Sequence, residues 1–320
     1  MRVALQRAWL RRGALAWSLW PLSQLFALLA ALRRAAYRSG LFSSERLPVP
    51  VLIIGNVIVG GSGKTPIVRA VVEHLKDRGI RVGVVSRGYG RTGRDCREVR
   101  PNSPARDVGD EPLLIARTCG VPVFVAPTRS AAARALLHEH PRTQLIISDD
   151  GLQHYALQRD LEICVFDDRG IGNGWLLPAG PLREPWPRRV DLTLRAPGAA
   201  AIDGFEARRR LATHARRADG TLVALASLRG RELCAVAGIA SPEAFFTMLR
   251  DAGLTLARTI ALPDHHAFEQ PLDIDGEIIC TEKDAVKLWR NSPGAWTVAL
   301  ELDIDEPFWP ALDRLVDAKL

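Results

Sequence analysis

Residues 49–79 read VPVLIIGNVIVGGSGKTPIVRAVVEHLKDRG, and this stretch decides the fold class. An uninterrupted apolar run after Pro50 is a buried strand, a glycine loop follows, and a helix runs from Thr65 to about Asp77, where Gly79 ends it. Strand, loop and helix in that order form a P-loop. In such a loop the amides of Gly60, Gly61, Ser62, Gly63, Lys64 and Thr65 point at phosphate groups. Lys64 then neutralises the β and γ charges and the Thr65 hydroxyl ligates magnesium, so ATP and Mg2+ are the expected ligands. The strict pattern asks for glycine six residues before the lysine, where this chain has Ile58.

Working outward, a second strand over 81–86 leads into SRGYGR, which brings Arg87 and Arg91 to the strand end beside the first loop, as open parallel α/β sheets do. The segment QLIISDDGLQHY is an apolar strand ending in Asp149 and Asp150, the arrangement of a Walker-B-like magnesium site. Adjacent acids on an extended chain point to opposite sides, so one of the two is expected to reach the ion or its waters. LREP adds Arg183 as a phosphate contact and Glu184 as a further magnesium ligand, with a surface role in a proline-rich linker as the plainer reading of both. TEKD at 281–284 follows the strand GEIIC and reads as helix initiation, Thr281 capping and Asp284 at the third position, with a base contact as the alternative.

The whole chain, 320 residues with 47% apolar and 25% charged, can bury two domains. Its net charge of +7 comes from arginine far more than lysine, which suits phosphate groups or anionic head groups. Nucleic acid is not expected, because no basic run is interleaved with aromatics and no zinc-finger or RNP-like motif is present. The five cysteines are far apart and unpaired in pattern, as reduced thiols are, and Cys164 and Cys280 read as core hydrophobes. Asp264, His265 and His266 adjoin, but neighbouring histidines on one extended segment seldom face one ion, so zinc is not expected.

Residues 13–32 hold twenty uncharged side chains bracketed by arginines on both sides. That length crosses a bilayer, yet Ser18, Pro21, Ser23 and Gln24 interrupt it and no cleavage site follows. A helix lying in the membrane interface fits better, with Trp9, Trp17 and Trp20 at head-group level; a true span and a buried core helix are the alternatives.

In their order, GNVIVGGSGKTP, SRGYGR, VGDEP, SDDGLQHY, GNGWLLPAGPLREP, PDHHAF and TEKDAVK resemble the tetraacyldisaccharide 4'-kinase family over about residues 34–287. That family's P-loop also lacks the first glycine. The resemblance implies two α/β lobes joined by a short β linker: a membrane-associated helix over 1–40, a P-loop NTPase-like parallel sheet domain over 41–187, and a second smaller α/β domain over 188–320 closing over the active site. It also implies that Asp110 of VGDEP and His265 of PDHHAF are the catalytic pair, beside Lys64. A carboxylate held by an imidazole accepts the proton of an attacking hydroxyl, while phosphoryl transfer otherwise needs positioning and charge neutralisation. Arg87, Gln153, His154 and Arg183 are expected to face substrate. The activity implied is transfer of the γ-phosphate of ATP to the 4'-hydroxyl of a tetraacylated glucosamine disaccharide 1-phosphate, on the cytoplasmic face of the bacterial inner membrane. A membrane-bound ATPase switch is the competing function; such switches usually carry a second lysine five residues before the P-loop lysine, where this chain has Val59.

Overall fold

The computed structural model describes residues 8–60, 63–274 and 276–320. After an N-terminal helix α1 (Ala14–Arg38), the first lobe runs β1 (Val51–Gly55), α2 (Lys64–Asp77), β2 (Val82–Ser86), β3 (Arg97–Glu98), α3 (Ala105–Val108), α4 (Asp110–Cys119), β4 (Val123–Val125), α5 (Arg129–Glu139), β5 (Leu145–Asp149), β6 (Leu161–Phe166) and β7 (Leu192–Arg195). The second runs β8 (Phe205–Arg216), β9 (Leu222–Ala224), β10 (Glu232–Ala237), α6 (Pro242–Asp251), β11 (Thr255–Ala261), β12 (Glu277–Thr281), α7 (Glu282–Leu288), β13 (Trp296–Ile304) and α8 (Phe308–Asp317).

The strands of both lobes join one sheet in the order β11-β10-β12-β13-β8-β7-β6-β1-β5-β2-β4-β3, with β9 on β8. Strands β1, β2, β5 and β6 are buried along their whole length, the pattern of parallel strands covered on both faces. Their aliphatic side chains divide between two cores, one under α2 and α4 and the other against α5. Each fully buried Leu, Ile or Val contributes about 1.5–3 kcal/mol. Pairing is antiparallel at the β3 edge and, within the sheet, where β8 meets β13 and β9.

Two features tie the lobes together. Strand β7, beyond the boundary expected at 187, adds in parallel to β6 and pairs at its end with β8 through Leu194 and Phe205. The last helix, α8, returns to the first lobe, where Phe308, Leu312 and Val316 share a core with Ile67 and Val71 of α2. His74 of α2 and Arg78 just after it also reach Asp313 at 2.7 and 2.9 Å.

Helix α1 is long and apolar enough to cross a membrane. It is not a core helix: Leu15, Trp17, Leu22, Leu25, Leu28, Leu29 and Leu32 are exposed, while Ala16 and Ser23 are buried. One face rests on the loop 173–178, with Ser23 Oγ donating to the Leu176 carbonyl (2.8 Å) and the Trp9 indole to that of Pro178 (2.9 Å). Trp17 packs edge-on against Trp175.

Candidate active site

The strand–loop–helix of the P-loop forms as read: β1 ends at Gly55, and α2 begins at Lys64 from a left-handed Gly63 (φ +68°). The left-handed backbone is what asks for glycine at 63, where the Arg209 guanidinium of β8 also lies close. Gly61 and Ser62 lie outside the described residues. Parallel pairing sets Ile54 beside Asp149, which brings the end of β5 to the start of the loop.

The two acids at the end of β5 then part company. Asp149 is 2% exposed, with Ser86 Oγ 3.5 Å from its carboxylate. Burial, with the neighbouring charges of Glu111 and Asp150, pushes its carboxyl up to about 7. Asp150 turns through a left-handed backbone (φ +49°) and meets Lys64 Nζ at 3.3 Å and Arg183 at 3.5 Å. Burial would raise Asp150 too, but Lys64, Arg183 and Arg129 outweigh it and hold the carboxyl below its ordinary value. Arg183 also donates to Gln153 Oε1 (3.2 Å), and Gln153 donates to the Asn56 carbonyl (3.1 Å). Thus Lys64, Asp150, Gln153 and Arg183 form one constellation.

Other expected residues are placed differently. Glu184 turns to Arg188 (3.2 Å), away from its neighbour Arg183, and lines a cavity of about 630 Å³ with Arg34, Arg38, Tyr155 and Arg159. Among the described residues no three His, Cys, Asp or Glu side chains converge as metal ligands, so Glu184 does not join Asp149 and Asp150. Arg91 is engaged by the Asp95 carbonyl (2.7 Å). Arg87 is exposed, and its charge adds to that of Arg129, Arg159 and Arg33 in opposing protonation of His154, which burial foremost lowers to about 4. His154 is therefore neutral near pH 7.

Opposite the P-loop, the second lobe supplies His265. Gly109 (φ +93°) lets its backbone lie against Gly88, a built Cβ coming within 3.1 Å of that residue, and so sets Asp110 at the start of α4 beside the 87–91 loop. His265 Nδ1 is 3.0 Å from Asp110 Oδ2, and the Tyr89 ring lies over the imidazole. Burial would raise Asp110; hydrogen bonds from His265 and Lys287 and the charge of Lys287 reverse the effect and hold it below the usual carboxylate value. His265 has φ +63°, a backbone uncommon outside glycine that persists where surroundings over-determine it. His266 instead accepts from the Phe268 amide (3.2 Å). Thr281 caps α7 as read, but Asp284 is fully buried, receiving Thr281 Oγ1 (2.7 Å) and the Gly238 amide (2.9 Å), so it anchors a loop rather than facing a base.

Sequence reasoning missed Arg129, which donates to the Asp150 carbonyl (2.8 Å), and the lysines Lys283 and Lys287. The spacing of the two lysines, one helical turn apart after a strand, was the available signal. The Asp149–Asp150 end also fits a hard divalent cation. Asp149 is destabilised as an anion by surrounding acids, and the side chain of Asn56 is buried with neither polar atom bonded to protein. Magnesium takes such oxygen donors, usually one or two carboxylates together with substrate phosphates.

Comparison with known proteins identifies the family and the fold. The family profile of tetraacyldisaccharide-1-P 4'-kinases matches residues 15–317. The chain is 58% identical over 315 residues to the tetraacyldisaccharide 4'-kinase of Acidovorax sp. (strain JS42), covering 97% of this chain and 93% of that one. With the enzyme of the same name from Polaromonas naphthalenivorans (strain CJ2) it is 54% identical, covering 99% and 95%. Its fold is similar to the crystal structure of LpxK from Aquifex aeolicus in complex with ATP, with a TM-score of 0.82 at 28% identity, over 94% of this chain and 99% of that one.

Proposed function

The chain belongs to the tetraacyldisaccharide-1-P 4'-kinase family, and from that membership we propose how its residues carry out the reaction. It is a lipid kinase of lipid A biosynthesis, transferring the γ-phosphate of ATP to the 4'-hydroxyl of a tetraacylated glucosamine disaccharide 1-phosphate to give lipid IVA. The observation that carries the site reading is the Asp110–His265 contact at 3.0 Å, made across the lobes.

Lys64 and the loop amides neutralise and orient the β and γ phosphates, which supplies most of what phosphoryl transfer asks of a protein. Thr65, Asp149 and Asp150 would hold magnesium, which when bound neutralises charge on the transferred group. Arg183 and Gln153, braced against Asp150, fix the near edge of the site for phosphate or sugar, with Arg87 and His154 on the same side. The attacking 4'-hydroxyl gives its proton to Asp110, oriented by His265. Glu111 links the two halves, since its charge acts on Asp149 while it stands next to Asp110 in the chain.

The substrate class matches the outer surface. The exposed apolar face of α1 suits the acyl region of a membrane, at the cytoplasmic side of the bacterial inner membrane, with the helix lying in the interface. The cavity lined by Arg34, Arg38, Arg159 and Arg188 opens between α1 and the 155–159 loop, where an anionic lipid head group finds guanidinium partners. Incubation with γ-labelled ATP and a Gram-negative membrane lipid extract tests the reaction: label moving to a lipid supports the kinase, and label released only as phosphate supports the ATPase switch. Removing residues 1–34 should shift the protein to the soluble fraction and weaken turnover of micellar substrate. Retention in membranes after a high-salt wash would mean another surface anchors it.

A further inference from the structure

Of the 43 basic residues in this chain five are lysine, and three of those five stand in the candidate site: Lys64, Lys283 and Lys287. The last two occupy successive turns of α7, whose first residue, Glu282, meets Arg69 of α2 at 2.6 Å. Lys287 is buried and donates to Asp110 Oδ2 at 2.8 Å, the same oxygen that His265 Nδ1 approaches at 3.0 Å. Lys283 Nζ lies 3.2 Å from His265 Nε2, 3.0 Å from Asp264 and 3.6 Å from Glu111.

An ammonium group has donors and no acceptor, so the ring nitrogen facing Lys283 must accept. The single ring proton is then on Nδ1, where it donates to Asp110. The opposite tautomer would set a ring lone pair against the carboxylate and an N–H against the ammonium. Each lysine thus fixes one member of the pair: Lys287 the carboxylate, Lys283 the tautomer. We infer that Lys283 and Lys287 are positioning residues that hold the Asp110–His265 pair in its proton-accepting form, tying completion of that pair to the contact of α7 with α4. The inference rests on the dyad reading above.

Lysine is the apt residue here because its compact point charge can sit on one carboxylate oxygen, whereas the five-donor arginine fork spans both. Asp110 is faced by His265 and Lys287 directly and by Lys283, Asp264, Glu111 and Tyr89 in the layer behind; Arg69 of α2 is occupied by Glu282. Remove Lys287 and only His265 remains to offset the burial of Asp110. An opposite charge this close moves a carboxyl by about 1–3 pH units, so the carboxyl should rise into the range of the assay.

The test is the pH profile of kcat for the full-length enzyme with ATP and the lipid acceptor, for Lys287→Met, Lys287→Arg and Asp110→Asn. Lys287→Met should lose about tenfold or more in kcat at pH 8 and move its acidic limb up by about one pH unit or more. Lys287→Arg restores the charge, so its limb should return to the wild-type position while kcat stays reduced by the bulkier fork. The KM for ATP should stay within about twofold, since neither lysine belongs to the phosphate cradle. An inactive Asp110→Asn with an unmoved limb in Lys287→Met overturns this inference alone; a fully active Asp110→Asn overturns the dyad beneath it. A rise in the ATP KM with an unmoved limb would reassign Lys287 to nucleotide binding. Lys283→Met supplies a second arm through ring nitrogen NMR, with the His265 signal identified by its loss in His265→Gln. The wild type should show the Nδ1–H tautomer and Lys283→Met a mixture; an unchanged tautomer overturns the role of Lys283.

Discussion

The phosphate cradle and the lobe junction are both built from opposed charges, and they balance them in opposite ways. At the junction every charge has a local answer: Asp110 is met by His265 and Lys287, and stands below its ordinary pKa although buried. In the cradle Asp149 lies among other acids, and burial with Glu111 and Asp150 lifts it to about 7. The junction is therefore preorganised by protein alone. The cradle lacks positive charge at Asp149, and a divalent cation there would supply it.

The sharpest way to break this contrast is Lys64→Ala. Loss of one preorganised charge on the transferred phosphate should cut kcat by about 10²–10³, roughly 3–4 kcal/mol, while the melting temperature hardly moves. Near-normal turnover would remove this loop from the chemistry. The junction should respond next, and as a unit. Asp110→Ala and His265→Ala should each cost about 10²-fold or more, and the double variant should be little worse than the poorer single. Rate losses that add in full would dissolve the pair.

A third prediction uses pH. A metal binds the carboxylate form of Asp149, so with its carboxyl near 7 the affinity for Mg2+ should be full above pH 7 and weaken as pH falls below it. Asp149→Asn should flatten that dependence in a Mg2+ titration of ATP binding. Without the ion the same shift works against the fold, because a raised carboxyl pKa stabilises the native state only while it is protonated. That contribution is present below about pH 4 and is lost as pH rises towards 7. Melting curves should thus show a larger gain from Mg2+ with ATP at pH 8 than at pH 6.

The smallest effect sharpens the link between local structure and the junction. Thr281→Ala removes the side-chain cap of α7, whose Oγ1 accepts from the Asp284 amide at 3.2 Å. Thermal unfolding should report a loss of about 1 kcal/mol. Turnover should fall only a few-fold, because Glu282 still ties the helix to Arg69 at 2.6 Å.

The cradle was legible in the sequence because its logic is local. An apolar strand, a glycine loop and a helix that starts at Lys64 are dictated by neighbours in the chain, and a second apolar strand ending in two acids follows the same grammar. Sequence alternation also separates Asp149 from Asp150, although which of them carries a proton depends on Glu111 and on burial, neither of which is adjacent in the chain. Local reading also offered Glu184 of LREP as a further metal ligand. Glu184 instead met Arg188, four residues on, and not the acids of β5.

The junction is different in kind. Asp110 and His265 are 155 residues apart and Asp110 and Lys287 are 177 apart, and no periodicity reports such a contact. From the residues alone, nothing joined Asp110 to the helix that TEKD begins. What joined them was the return of the sheet through β8 and β13 and the docking of α7 against α4, which the burial of apolar strands and helices drives and side-chain chemistry only exploits. Sequence thus determined the nucleotide loop and the apolar first helix, where a few adjacent residues suffice. Tertiary structure alone decided the protonation of the acids and the meeting of Asp110 with His265 and Lys287, because those depend on burial and on charges brought together from distant parts of the chain.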